Sequence, residues 1–326
     1  MEVGLSIFPT AASIHPVRLA KEAEARGFES LFFIEHTHIP ASRRTPYPLG
    51  GELPSIYWQS YDPFVALAQA AAVTTQLRVG TGVCLVPEHH PLALAKRVAS
   101  LDALSNGRFL FGIGAGWNAE ELENHGVRFA DRWAVTRESV LAMKAVWTQK
   151  DAAFHGRFVD FDAVWSEPKP VQKPHPPVLI GASSKYAVER VAEYADGWMP
   201  GNGTCDFAER LAQLDAACAR RGRSRNSLDL TVFAAPPKSI ELENLAELGF
   251  NRGAAAAHPG RVENPVAARR PRLDRREPPA LSRRIRRGRY RREIVQINYG
   301  AVECGSCSST ASTPRSRSSP CAPRGR

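Results

Sequence analysis

The chain has 326 residues, six cysteines and a formal net charge of +10. Its length allows one large α/β barrel or two smaller domains, since single barrels run to about 250 residues. No apolar stretch reaches the roughly 18–20 residues that span a bilayer, and the N-terminus lacks a basic leader segment. The cysteines form no regular framework, so the expectation is a cytoplasmic protein with no membrane partner.

The charge is unevenly placed. Residues 253–326 hold 17 Arg, no Lys and 5 acidic residues, a net +12, which leaves 26 basic and 28 acidic residues in the first 252. The body is therefore slightly acidic and the basicity belongs to the tail.

In chain order, residues 3–8 read as a first strand and 16–26 as an amphipathic helix stopped by Gly27. Residues 29–35 read as a second strand. A long polar and aromatic loop over 37–61 follows, with Arg43, Arg44, Tyr47, Tyr57 and Trp58, placed to cover a site at the end of that strand. Asp62-Pro63 caps and starts a helix over 64–74. Residues 78–86 are β-branched and apolar, as a strand buried on both faces requires. Pro91 suits the first turn of a helix over 91–105 that Ser105-Asn106-Gly107 stops. The next strand, 109–113, runs into Gly112, Gly114 and Gly116, which let a ligand approach the backbone.

Helices follow over 118–126 and 132–148, and 154–177 reads as an inserted hairpin with an extended run. A strand over 178–181, a helix over 185–195, a short strand over 197–200 and a helix over 207–221 come next. A strand over 228–234 and a helix over 240–248 complete the pattern. Such alternation predicts a parallel sheet with right-handed crossovers. Seven strands are legible. An eighth should follow residues 249–252, but the text after Arg252 is Gly-Ala-Ala-Ala-Ala-His-Pro-Gly. The expectation is a barrel domain over 1–252 whose last strand and helix are missing or altered. The Arg-, Pro- and Ser-rich tail over 253–326 is expected to be disordered and reads as a frame-shifted end. A nucleic-acid arm is the weaker reading, because Tyr290 and Tyr299 are its only aromatics. No specific nucleic-acid partner is expected.

Four segments carry a family resemblance: Phe33-Ile-Glu-His-Thr-His-Ile-Pro40, Arg78-Val-Gly-Thr-Gly-Val-Cys-Leu-Val-Pro87, Phe109-Leu-Phe-Gly-Ile-Gly-Ala-Gly-Trp117, and Pro177-Val-Leu-Ile-Gly-Ala-Ser-Ser184 with Ala195-Asp-Gly-Trp198. In this order and spacing, over roughly residues 1–252, they resemble the luciferase-like monooxygenase superfamily. The resemblance implies a TIM (β/α)8 barrel that binds FMN or a 5-deazaflavin. The Glu-His-Thr-His-Ile-Pro segment, the long loop and Gly-Ile-Gly-Ala-Gly-Trp-Asn are more similar to the branch dependent on deazaflavin (coenzyme F-420). Hydride transfer between that coenzyme and a small organic substrate is the implied reaction. A reduced-FMN-dependent monooxygenase is the alternative. A third reading is a catalytically defective protein with a tail that binds polyanions unspecifically. The resemblance is also compatible with a homodimer.

It further implies site residues. His36, at the end of the second strand, would face the cofactor side and polarise the substrate or shuttle a proton, with Glu35 orienting it or packing beneath. Gly82-Val83 would form a non-proline cis bond supporting the cofactor ring; the plainer reading is a glycine in a strand bend. Gly112, Gly114, Ala115, Gly116 and Trp117 would line the ribityl or phosphate side. Gly181, Ala182, Ser183 and Ser184, before the fifth helix, would hold the phosphate or cap that helix. Ala115 stands where some luciferases carry a phosphate-holding Arg. The spacing of His36, His38, His89 and His90 fits no compact metal set, and Cys304-Gly-Ser-Cys307 has no second pair, so no metal is expected.

Overall fold

The structure, a computed structural model, describes residues 1–257. The chain opens with β1 (Glu2–Ile7), α1 (Pro16–Ala25) and β2 (Ser30–Phe33). The loop that follows holds one helical turn, α2 (Ile56–Gln59), and leads to α3 (Pro63–Ala72). The Asp62 carboxylate accepts the Val65 N–H, as an N-cap should. β3 (Arg78–Thr81) and β4 (Cys84–Leu85) occupy one strand position, divided at Gly82-Val83, and that peptide bond is cis. Then come α4 (Pro91–Leu104), β5 (Phe109–Gly114), α5 (Ala119–Asn124) and α6 (Arg132–Thr148). The insertion is an antiparallel hairpin of β6 (Ala152–His155) and β7 (Asp160–Val164). β8 (Val178–Ile180), α7 (Ala187–Tyr194), β9 (Gly197–Trp198) and α8 (Phe207–Ala219) follow. β10 (Asp229–Ala235), α9 (Ser239–Glu247) and β11 (Arg252–Ala256) end the described residues.

The sheet closes on itself with eight parallel strand positions. β1 pairs with β2 on one side and with β11 on the other, Leu5 lying opposite both Leu31 and Ala255. β3 pairs with β2 and with the start of β5, and β4 pairs with the end of β5. β8, β9, β10 and β11 complete the ring.

This corrects the expectation of a missing last strand: strand eight is Arg252–Ala256 and crosses the boundary drawn at residue 252. Its Gly-Ala-Ala-Ala text has little β-propensity, yet the setting selects small residues. A Cβ on Gly253 would lie 2.9 Å from Leu242 Cδ2. Ala254 belongs to an interior cluster already filled by Phe32 and Leu110. Arg252 anchors the strand's start: its guanidinium donates to both Asp229 oxygens at 2.8 Å, to Glu29 at 2.7 and 3.0 Å, and to Thr231 Oγ1 at 2.8 Å. The last helix and the tail fall outside the described residues.

Strand residues alternate between two apolar layers, as the period of two requires. Leu31, Phe33, Phe109, Phe111, Val178 and Ile180 pack outward against the helices. Phe32, Leu110, Leu179, Met199 and Ala254 fill the barrel, with Val83 and Phe233 packed on them. Full burial of each such Leu or Phe contributes about 1.5–3 kcal/mol. The insertion is tied down by buried Asp102, which accepts the backbone N–H and side-chain amide of Gln172 at 3.0 and 2.7 Å.

Candidate active site

The C-terminal ends of β2, β3/β4 and β5 converge on one group of polar residues. His36, just after β2, is buried, and its Nδ1 lies 2.8 and 3.1 Å from the two carboxylate oxygens of Glu121. Glu121 sits in the first turn of α5, which follows the glycine run of β5. Trp117 donates its indole N–H to His36 Nε2 at 3.4 Å. An indole only donates, so Nε2 offers its lone pair and Nδ1–H points to Glu121. The pair is withdrawn from water, with side-chain exposures of 4% and 1%. With Nδ1–H held by the carboxylate, a proton reaches the ring only at Nε2, where it displaces the long Trp117 contact.

The long loop builds the wall around this pair. Tyr57 packs against the His36 ring with centroids 5.0 Å apart, and Tyr47 and Tyr57 both lie edge-on to Trp117. The two phenol oxygens are 3.1 Å apart. Burial, then the Tyr47 hydrogen bond, pushes the Tyr57 phenol well above its ordinary value, so it stays neutral. Glu120 pins the loop, accepting from Arg44 N–H and Nε–H and from Thr45 N–H and Oγ1–H.

Glu35 does not orient His36. Its carboxylate accepts the Leu85 N–H at 2.6 Å and faces His89 Nε2 at 3.1 Å. Arg97 donates to His89 Nδ1, which leaves Nε2–H as the donor to Glu35. Burial works to raise the Glu35 pKa, but the His89 contact, the Leu85 N–H and the Cys84 thiol outweigh it and hold it below the usual carboxylate value. Burial, then the Glu35 charge, pushes the Cys84 thiol well up. Glu35 is therefore a locked anion that ties β4 to the end of β2. Glu35, Cys84 and His89 bring potential ligand atoms within 4.8 Å of one another. A metal there would need a thiolate and would displace donors already in use.

The remaining predicted residues divide by depth. Gly82 is buried and Val83 half-buried. A Cβ on Gly82 would meet Phe233 at 2.9 Å and Phe32 at 3.1 Å. Cβ atoms on Gly114 and Gly181 would lie 2.7 and 2.4 Å from the Val83 methyls. These glycines thus make the niche that seats Val83. Gly112 lies inside the wall, where a Cβ would sit 2.0 Å from the Thr81 carbonyl oxygen, so its smallness serves strand packing. Ala115 is buried, and Gly116 is half-buried with φ of +77°. Gly181, Ala182 and Ser183 are half-buried and Ser184 is exposed. α7 begins only at Ala187, and neither serine caps it through a side chain. The Ser183 hydroxyl instead meets the Thr204 hydroxyl.

Glu121 and Thr204 belong to no motif of the sequence, and Asn118 stands in one only as the end of Gly-Ile-Gly-Ala-Gly-Trp-Asn, without a role of its own. The Asn118 side chain is buried, and neither its oxygen nor its nitrogen has a hydrogen-bond partner among the described residues. A buried amide in that condition leaves a donor and an acceptor for a ligand. The Thr204 hydroxyl donates to the Gly201 carbonyl at 2.6 Å and so accepts the Ser183 O–H, and the Gly181 N–H donates to the Ile113 carbonyl, which leaves the backbone N–H groups that follow Gly181, with the Ser184 hydroxyl, as the donors that fit a phosphorylated flavin-type cofactor.

Residues 9–239 match the family described as luciferase-like monooxygenase. An uncharacterized protein of Mycobacterium tuberculosis is 40% identical over 253 residues, covering 76% of this chain and 89% of that protein. Among solved structures, the monooxygenase RslO1 from Streptomyces bottropensis aligns with a TM-score of 0.61 at 26% identity, over 76% of this chain and 75% of that one. An F-420-dependent secondary alcohol dehydrogenase, solved with an F-420–acetone adduct, aligns with a TM-score of 0.61 at 16% identity, over 78% and 93%. Among the described residues no helix is long and apolar enough to cross a membrane.

Proposed function

Because the chain belongs to the luciferase-like monooxygenase family, we propose that it is an oxidoreductase that uses coenzyme F-420, a 5-deazaflavin, and acts on a small alcohol or carbonyl compound. The observation that carries this reading is the buried His36–Glu121 pair at the barrel mouth. Exchange of an alcohol and a carbonyl moves a hydride and a proton. When bound, the deazaflavin supplies the hydride chemistry. The chain's residues supply the proton site and the enclosure.

His36 Nε2 is the atom that takes or gives the proton. Glu121 fixes the ring by accepting Nδ1–H and stabilises the imidazolium as it forms. Tyr57 and Trp117 keep water from the ring and orient a small substrate against it. Val83, held between Gly114 and Gly181, forms an apolar support for the cofactor ring. Asn118, Gly116, Ser183 and Ser184 would hold its polar parts. No Arg stands at Ala115, so phosphate binding rests on backbone N–H groups and the Ser184 hydroxyl, with Ser183 contributing only by turning away from Thr204.

The reading is tested by following deazaflavin absorbance anaerobically with a panel of secondary alcohols and ketones. Turnover that falls sharply in His36→Asn supports it. The likeness to RslO1 favours a second reading, reduced-FMN-dependent oxygenation. Substrate-dependent oxygen consumption with reduced FMN, and no anaerobic deazaflavin turnover, would select that reading instead.

A further inference from the structure

A buried carboxyl to which the reaction assigns nothing is hydrogen-bonded to Thr37, the residue that follows His36. Glu88 ends the short turn after β4, and its side chain is inaccessible to solvent. One oxygen, Oε2, is 3.2 Å from Thr37 Oγ1 and 3.6 Å from His125 Nε2. The other, Oε1, is buried with no hydrogen-bond partner among the described residues. Burial, then the charges of Glu121 and Glu35, push this carboxyl up to about 9 against the pull of the Thr37 hydrogen bond.

Thr37 is exposed and joins three groups. Its hydroxyl lies 2.8 Å from His125 Nε2 and 2.9 Å from His38 Nδ1. The Asn124 amide, 2.8 Å from His38 Nε2, donates to it, so His38 Nδ1–H donates to Thr37. The hydroxyl has one proton to give, to Glu88 or to His125. Both directions are chemically complete. With Glu88 neutral, its O–H donates to Thr37 and Thr37 donates to His125. With Glu88 ionised, Thr37 donates to the carboxylate and His125 donates to Thr37. Burial, then the charge of His38, lowers the His125 pKa, which favours the first arrangement at neutral pH. Glu121 and His125 are four residues apart at α5, so they share a face. The same short helix thereby carries the partner of His36 and the solvent end of the chain of hydrogen bonds.

We propose that Glu88 is a positioning residue for the proton chemistry of His36: its carboxyl exchanges a proton with solvent through Thr37 and His125, and its charge sets the proton affinity of the His36–Glu121 pair. In the outward step the Glu88 O–H bond breaks and the proton passes to Thr37 Oγ1. The Thr37 proton passes to His125 Nε2, and solvent takes the Nδ1 proton from the exposed imidazolium. No electrons move. The negative charge left on Glu88 raises the proton affinity of the neighbouring pair, while a neutral Glu88 lowers it. Among the described residues, Glu35, a locked anion, and Cys84, a neutral thiol, also interact with Glu88. The functional meaning rests on the proposed role of His36; the coupling itself does not.

The test uses the full chain without cofactor, labelled with 15N-histidine, and follows ring signals against pH. His36→Asn identifies the His36 signal among the nine histidines. The expected result is an inflection of the His36 signal near pH 9, lost in Glu88→Gln, which keeps the shape and the neutral state. Thr37→Val moves the inflection to higher pH, because it removes the bond that holds the Glu88 value down, and Thr37→Ser restores it. Tyr57, packed on His36, does not titrate in that range. A wild-type His36 signal with no alkaline inflection, or one that persists in Glu88→Gln, would overturn the proposal. An alkaline inflection present while His36→Asn retains full turnover would sink the functional reading and leave the coupling standing.

Discussion

His36 and Glu35 are adjacent in sequence and opposite in fate. Chain direction past β2 sends Glu35 toward β4, where three donors fix it as an anion. His36 goes toward the mouth, where Glu121 holds it. The Glu-His text and its place at a strand end made His36 legible. Glu121 was not legible, because only the turn of chain after the β5 glycines brings it back over β2, 85 residues away in sequence. Replacing His36 with Asn, or Glu121 with Gln, is expected to lower turnover by about 10²–10⁴-fold while leaving cofactor affinity within a few-fold. Steady-state kinetics with a parallel binding titration check this.

Asn118→Ala should do the reverse, weakening cofactor or substrate binding while changing folding stability little, since its amide has no partner to lose among the described residues. Denaturant unfolding and binding measured together separate the two effects. Glu88 carries a pH prediction for stability. Its folded value, about 9, lies above its ordinary value of 4.5, so between those values the folded chain binds a proton that the unfolded chain does not. Wild-type stability must therefore decline relative to Glu88→Gln as pH rises from about 4.5 to about 9, and run parallel outside that window. Thermal unfolding of both proteins across that range shows the relative decline of the wild type or its absence.

Among the elements, β11 shows where pattern reading runs out. The helices with an apolar stripe were placed within a few residues, as at Pro16–Ala25, Pro91–Leu104 and Arg132–Thr148, although only the first has a side-chain cap. Gly253 and its alanines have no stripe and no β-branched residue. They form a strand because β1 and β10 present free edges and the large interior side chains of other strands leave room only for small ones. Arg252 supplies the specificity that the alanines lack, pairing with Glu29 at the base of β2 and Asp229 at the start of β10. Burial works against its charge, but the hydrogen bonds and charges of Glu29 and Asp229 raise its pKa further, so it remains a cation. Arg252→Ala would remove the main partner of both carboxylates, leaving Glu29 to Arg78 and Asp229 to Thr231, and is expected to cost about 3 kcal/mol, the low end for breaking a buried pair. Arg252→Lys, with fewer donors in a different geometry, should recover part of that. Equilibrium unfolding of the two variants checks the order.

For the whole molecule, closure of the ring brings the ends of β2, β3/β4, β5 and β8 to one mouth, which is where the predicted cofactor residues sit. Their order along the chain was legible because glycines and small residues mark the places where a backbone comes close to something else. Their depth was not. Gly112 and Gly114 are small for the sake of Thr81, Met199 and Val83, and only the neighbouring strands reveal that. The aromatic wall of Tyr47 and Tyr57 comes from the loop that the sequence marked as polar and aromatic but could not orient.

The central claim is that this barrel mouth binds a 5-deazaflavin beside a buried proton site, and the most direct measurement is a paired titration of the full chain. Fluorescence quenching is followed with coenzyme F-420 and with FMN under the same conditions. Saturable micromolar binding of the deazaflavin, tighter than FMN, unchanged in His36→Asn and weakened in Asn118→Ala, is the predicted result. Tighter binding of FMN, or binding of neither by a protein that unfolds cooperatively, would contradict it.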